Sequence, residues 1–365
     1  NYTCTVSTRR PRMSKAAELA ALIGGQKALS NKNIIKNGAM VIAQRATSVT
    51  GDTSGGSVKT VDRMNPEMNA AGTWTQSQST DVPSGQGFVN SFKLDCTTAD
   101  ASLAANDYVA FGHRIEGLDL QRLNYGTSGA KNSVLSFWVK TNKAGNYVVG
   151  VQNAITGGTA KNCSFLYTVS QANTWQKIEF SIPADTAGAF DNDANATAYI
   201  YWWLAAGSNY TTGTLRTTWT NNVSADFAAG LNVNLADSTD NEWYITGIQW
   251  EEGDVATPFE HEDFGTTLRK CKRYFQIHDD MHFRGYATGT NQRIEQYFAL
   301  GTTMRADPTR AVITAGSSSN VRSAATTYSG LTLGSRTGGA VLSIEAAGAG
   351  LAYIQDRKES LDAEL

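Results

Sequence analysis

The sequence predicts an all-β protein: a jelly-roll β-sandwich, then a smaller C-terminal β domain, with a short N-terminal helix and a helical connector. Two observations predict it. Apolar residues alternate at period two through several short runs, as in Ser133–Thr141 and Trp175–Pro183. The segments between runs are rich in Gly, Ser, Thr and Asn and carry almost no helix-period pattern, with 34 glycines against six prolines. Short strands joined by glycine-rich turns pack as two face-to-face sheets.

The elements follow in chain order. Residues 1–32 read as an N-terminal extension and attachment helix. Ser14 caps the run Lys15–Ile23, Glu18 lies early in it, and Gly24-Gly25 stop it. Ala16, Leu19, Ala20 and Ile23 share one face. A helix of about ten residues is marginal alone, so it docks either on its own domain or on its own copies around an axis. Residues 33–262 form the jelly roll. In its clearest strand, Leu135, Phe137 and Val139 point one way and Ser136, Trp138 and Lys140 the other. Gly145-Asn146 turns the chain into Tyr147–Val151. Ile178, Phe180 and Ile182 face inward in the next strand, which Pro183 closes. Thr197–Leu204 and Glu242–Trp250 are further strands. Residues 263–282 read as a helical connector, with Leu268, Cys271 and Phe275 at helical spacing. Residues 283–365 form the small β domain, with strands expected at 293–300, 309–315, 330–333 and 340–345 and loops at Ser317–Asn320 and Gly338-Gly339. Its sparse core predicts support from neighbouring copies.

Composition excludes several functions. Thirty-one basic and 33 acidic residues leave a net charge of −2, without the basic face that a nucleic-acid binder needs. Arg9, Arg10, Arg12 and Lys15 form a local basic arm, read as a docking or solvated tail. Cys4, Cys96, Cys163 and Cys271 lie far apart without metal-type spacing, which fits reduced thiols in a chain folded in a cytoplasm. No apolar run approaches the roughly 20 residues of a membrane helix, so no membrane insertion is expected. The signatures of hydrolase elbows, zinc proteases, phosphate loops and dinucleotide folds are missing. No catalytic residue is therefore expected. Glu251, Glu252, Glu260 and Glu262 are common carboxylates that sequence cannot place across a cleft. His278 and His282, four apart beside Asp279 and Asp280, would share a face on a helix. They read as connector surface rather than a metal site.

Aromatic residues are the candidates for binding. Tyr199, Tyr201 and Trp203 alternate with Ala198, Ile200, Trp202 and Leu204. One set must be core. The tyrosines and Trp203, with Trp138, then offer an aromatic platform for a sugar ring. The competing expectation is that both faces are buried, one by the second sheet and one by a neighbouring subunit. Asp185, Asp191, Asn192 and Asp193 form an oxygen-rich loop. Structural calcium suits such ligands, but EF-hand spacing is missing and solvated carboxylates are the competing reading. No other cofactor is expected.

Ser14–Ile23 followed by Asn33-Ile-Ile-Lys-Asn-Gly-Ala-Met-Val-Ile-Ala-Gln-Arg45 resembles the opening of tail-fibre and related virion fibre proteins of marine and cyanobacterial phages. Ser136–Lys140 and Trp175–Phe180 resemble jelly-roll carbohydrate-binding modules. Gly247-Ile-Gln-Trp-Glu-Glu-Gly253, Ala256-Thr-Pro-Phe-Glu-His261 and Cys271–Phe275 resemble the end of that module in such phage proteins, as does the closing Asp362–Leu365. Met13 looks like the usual start, which leaves residues 1–12 as an extension. The resemblance implies a non-catalytic tail fibre or receptor-binding fibre, made in the host cytoplasm and carried on the exterior of the virion. It implies a homotrimer, held to other virion proteins by the N-terminal segment and adhering to a host surface glycan. A head fibre or capsid decoration protein is the alternative, and a glycan-degrading spike enzyme the second alternative.

Overall fold

The computed structural model describes residues 31–154, 158–299, 301–315, 317–319, 321–329 and 339–365. The attachment helix expected at 14–25 and the strand expected at 330–333 lie outside them. Residues 48–252 supply twelve strands: β1 (Ser48–Asp52), β2 (Asn65–Asn69), β3 (Thr73–Ser79), β4 (Ser91–Thr98), β5 (Tyr108–Glu116), β6 (Ser133–Thr141), β7 (Gly145–Asn153), β8 (Lys161–Val169), β9 (Gln176–Ile182), β10 (Ala196–Ala206), β11 (Thr220–Asn221) and β12 (Glu242–Glu252). They pair as two six-stranded sheets, β1-β3-β4-β12-β6-β9 and β11-β8-β7-β10-β5-β2. Two helical turns interrupt them, α1 (Gly117–Leu120) and α2 (Ser208–Thr211).

The period-two pattern is what makes this sandwich. Leu135, Phe137 and Val139 of β6 and Ala198, Ile200, Trp202 and Leu204 of β10 are all fully buried between the sheets. Phe137 meets Trp202 edge-on at 5.5 Å, joining the two sheets, and Phe92 meets Phe111 at 4.8 Å. Burying each Leu, Ile, Val or Phe among them contributes roughly 1.5–3 kcal/mol. Two segments far apart in sequence, Asn33–Arg45 and Gly247–Gly253, also meet in space. Ile34 N donates to Trp250 O at 2.8 Å, and Trp250 N to Asn33 Oδ1 at 3.1 Å. At Gly247 (φ +63°) β12 bulges, and an added Cβ would stand 2.5 Å from the Phe88 ring.

The connector is shorter than expected. Helix α3 (Phe264–Lys272) is capped by the Asp263 side chain, which accepts from Thr266 N, and then the chain turns extended. Residues expected as connector up to 282 belong to β13 (Phe275–Ala287). The helical spacing misled because Cys271 and Phe275 are both buried, one at the end of the helix and the other at the start of the strand. His278 and His282 thus lie on a strand, broken by register shifts between His278 and Phe283. The remaining strands are β14 (Arg293–Ala299), β15 (Thr309–Thr314), β16 (Ser317–Ser319), β17 (Val321–Ser329), β18 (Gly339–Ala346) and β19 (Gly350–Asp362). They form a sheet β13-β19-β15, with β16 also on β19, and a three-stranded sheet β14-β18-β17. Ser317–Ser319, expected as loop, pairs with β19. The apolar core here is small: Ala287, Ile344, Ala346, Ala352 and Ile354, with a second group of Met304, Leu361 and Ala363.

Ion pairs and cation–π contacts join the two domains. Glu116, at the end of β5 and 1% exposed, accepts from Arg273 Nε at 2.9 Å and Nη2 at 2.7 Å, with Lys36 Nζ 3.8 Å away. Burial alone would raise the Glu116 carboxyl, but Arg273 and Lys36 hold it below its ordinary value. The buried Arg63 guanidinium lies 3.6 Å over the Tyr274 ring and pairs with Glu364. Arg45 pairs with Asp362 at 2.9 Å.

His113, 2% exposed, donates Nδ1–H to Arg63 O at 3.0 Å. Burial first, then the charges of Arg63 and Lys36, push its pKa well below 6.5. The unfolded chain therefore takes up a proton below about pH 6.5 that the folded one refuses, and stability falls by up to about 1.4 kcal/mol per pH unit. Asp62, pushed up to about 6 by burial, works in the opposite sense below pH 6, where the folded form takes up the proton. His278, also lowered by burial, works in the same sense as His113. The expected result is a melting temperature that drops between pH 7 and 6 less steeply in His113→Gln than in the parent. Parallel slopes would contradict it.

Candidate functional site

The outer face of the β10 sheet carries the most developed surface. On β10, Tyr199 stands opposite Arg114 and Gln152, Tyr201 opposite Gly112 and Gly150, and Trp203 opposite Ala110 and Val148. Glycines on both sides leave Tyr201 without flanking side chains. A Cβ on Gly112 would stand 3.3 Å from its ring. The Tyr199 and Tyr201 rings are stacked at 6.2 Å and 11°, as expected for positions two apart on one face of a strand.

One end of this row is closed by the chain itself. Segment 207–231 folds over β10 and sets Tyr210 at 5.4 Å and Phe227 at 6.1 Å from Trp203. Asp226 ties the segment together, accepting from Thr214 N at 2.7 Å and Arg216 Nε at 2.8 Å. Trp203 is thereby 5% exposed, while Tyr199 and Tyr201 remain half-buried. Within this chain the surface is covered at one end by its own loop and open at the other.

Between them lies a cleft of about 170 Å³, lined by Tyr201, Trp203, Tyr108, Tyr210, Phe227 and Ala110, with Glu67 and Gln152 as its polar groups. Glu67 Oε1 accepts from Asn65 Nδ2 at 2.8 Å and Arg114 Nη2 at 2.7 Å. Burial, and then the charge of Glu67, push the Tyr201 phenol up, so it stays an O–H donor. The Trp203 indole Nε1 is buried and has no hydrogen-bond partner. Flat aromatic faces with a carboxylate and an amide at their edge can stack on apolar ring faces and bind hydroxyls.

Trp138 does not join this group. It is half-buried on the outer face of the other sheet, where an added Cβ on Gly247 would come within 3.1 Å of it. Trp175 lies just ahead of β9 beside that sheet, donating Nε1–H to Asp81 at 2.9 Å, with its ring 6.2 Å from Tyr244. The calcium candidates are dispersed in role. Asp185 is buried and held by Lys161 at 2.8 and 2.9 Å. Asp193 accepts from its neighbour Asn195 at 2.9 and 2.7 Å. The Asp191 carbonyl packs against Gly117. Among the described residues no group of three or more His, Cys, Asp or Glu side chains converges as a metal cage. Cys96, Cys163 and Cys271 are buried and free. Burial pushes the Cys96 thiol up to about 11 and that of Cys163 up to about 12. Among the described residues no helix is long and apolar enough to cross a membrane.

Glu67, Gln152, Tyr108, Tyr210 and Phe227 were not anticipated. Gln152 was legible, as it continues the outward alternation of Tyr147–Val151. Glu67 and the loop aromatics reach the cleft only through tertiary pairing.

No protein-family model matches the sequence, and no curated protein sequence matches it. Solved structures do. The enzymatically active domain of tailspike protein 4 of bacteriophage CBA120 matches at 12% identity and TM-score 0.32, over 60% of this chain and 21% of that one. A sugar binding protein of Bacteroides thetaiotaomicron, so described provisionally, matches at 13% and 0.34, over 61% and 100%. The family 11 carbohydrate-binding module of Clostridium thermocellum, with a β-1,3-1,4-mixed-linked tetrasaccharide, matches at 12% and 0.27, over 58% and 99%. At these values the likeness assigns neither ligand nor activity.

Proposed function

We propose that the chain is a non-catalytic glycan-adhesion subunit of a bacteriophage particle, a tail fibre or receptor-binding fibre whose β10 face holds a sugar of the host surface. The observation that carries it is the Tyr199–Tyr201 stack on glycine flanks, ending in a cleft edged by Glu67 and Gln152. Glycosidic hydrolysis needs two carboxyl groups across the bond, and Glu67 is the single carboxylate lining this cleft among the described residues. What supports the phage setting, on the particle exterior, is the resemblance of the Asn33–Arg45 and Gly247–Phe275 segments.

A homotrimer fits both the face and the C-terminal domain. Weak single sites act together in an oligomer. Tyr286, Ile313 and Leu351 of the small domain are more than half exposed, at 71%, 51% and 53%, and β15 is exposed along its whole length. Apolar side chains on so thin a core suit contact with other copies.

The test is binding of the purified protein to an array of bacterial surface polysaccharides, beside Tyr201→Ala. The parent is expected to bind, and the variant to lose about tenfold or more in affinity with its melting temperature preserved, because stacking on one ring contributes roughly 1–1.5 kcal/mol. A parent that binds no glycan, or a variant that binds equally, overturns the reading.

A further inference from the structure

We infer that the cleft beside Tyr201 selects a neutral, hydroxyl-rich sugar over an acidic one, and that Glu67 and the Trp203 indole N–H make the selection. The inference rests on the glycan reading above and specifies its ligand. Two observations carry it.

The first is charge. Glu67 lines the cleft, and no lysine or arginine does among the described residues. The nearest guanidinium on the pairing strands, Arg114, is already bonded to Glu67 at 2.7 Å and to the Leu365 carbonyl at 2.5 Å. A uronate entering the cleft would face the Glu67 carboxylate in a site half-closed to water, where the adjacent guanidinium of Arg114 is already engaged by two oxygens. A hydroxyl meets Glu67 as a donor.

The second is the orphan donor. Trp203 is 95% buried by its 5% exposure, and its Nε1–H has no partner. Buried donors are normally satisfied. A ligand group that reaches this N–H from the cleft must accept from it and is best placed if it can also donate to Glu67, which lines the same cleft. A hydroxyl does both, whereas a carboxylate only accepts.

The experiment is calorimetric titration of the full chain with matched oligosaccharides, one built of galactose or glucose and its counterpart of galacturonate or glucuronate. The parent is expected to bind the neutral sugar at least about tenfold tighter. Glu67→Gln, which keeps the shape and removes the charge, should shrink that ratio about tenfold, chiefly by admitting the acidic sugar. Trp203→Phe is held in reserve, since it also thins the packing under segment 207–231. A parent that prefers the acidic sugar, or a Glu67→Gln ratio equal to the parent's, overturns this inference while leaving glycan binding intact. Binding of neither sugar overturns the glycan reading and this one together.

Discussion

Trp202→Ala is expected to lower folding stability by about 3–5 kcal/mol, the range for removing a large aromatic from a closed core. Trp202 is fully buried, and its ring lies 5.5 Å from both Phe111 and Phe137. The inner sheet faces cannot collapse onto the space it leaves, because both are held by their strand ladders. Chemical denaturation followed by fluorescence would read the loss as a shift of the midpoint at unchanged slope. The neighbouring Tyr201→Ala should move binding and leave the midpoint nearly in place. Two adjacent residues on one strand thus separate folding from recognition. A Trp202→Ala loss below about 1 kcal/mol would mean that the sheets do not face each other through this ring.

Glu116→Ala should cost about 3–5 kcal/mol, the penalty for removing one partner of a buried pair. The substitution strands Arg273, whose two nitrogens lie 2.9 and 2.7 Å from the carboxylate, and deprives Lys36 of one of its two acidic neighbours. The loss falls on the junction, so calorimetry should show the single melting transition splitting, with the small domain melting first. Early tryptic cleavage in 253–274 should accompany it. The double replacement Glu116→Leu with Arg273→Met should recover most of the loss, since an apolar pair needs no desolvation of charge. If the single variant melts in one transition at the parent's temperature, the junction is not held by this pair.

The sandwich was legible where each strand obeyed the pleat. The alternations at Leu135–Val139 and Ala198–Leu204 translate directly into buried and outward faces. They fail where charge or a bulge takes an inward position. In β19, Ala352 and Ile354 are buried, then Asp356 adopts φ +58°, after which Arg357, Glu359 and Leu361 are the buried positions. The bulge shifts the parity by one, and two of the inward residues are ions that meet each other at 2.6 Å. No period-two pattern survives such a run. The candidate site divides in the same way. Tyr199, Tyr201 and Trp203 are readable from one strand, whereas Glu67 belongs to β2, which pairs with β5 although it lies three strands earlier in the chain, and Trp138 shares the alternation but sits on the opposite sheet. Local pattern shows which way a side chain points; it does not tell which sheet the strand joins.

The place of β12 in its sheet has a consequence for biosynthesis. It is the last sandwich strand to leave the ribosome, yet it lies between β4 and β6, with β4 reached across more than 140 residues of chain. Until residue 252 has emerged, β1-β3-β4 and β6-β9 are two detached ribbons, each with an unpaired inner edge and an open apolar face. Such long-range pairing closes slowly, and unpaired edges invite association between chains. Closure of this sheet thus waits for residue 252, with the small domain still to be made. Slower, cooler expression should raise the soluble yield more than any single stabilising substitution on its surface.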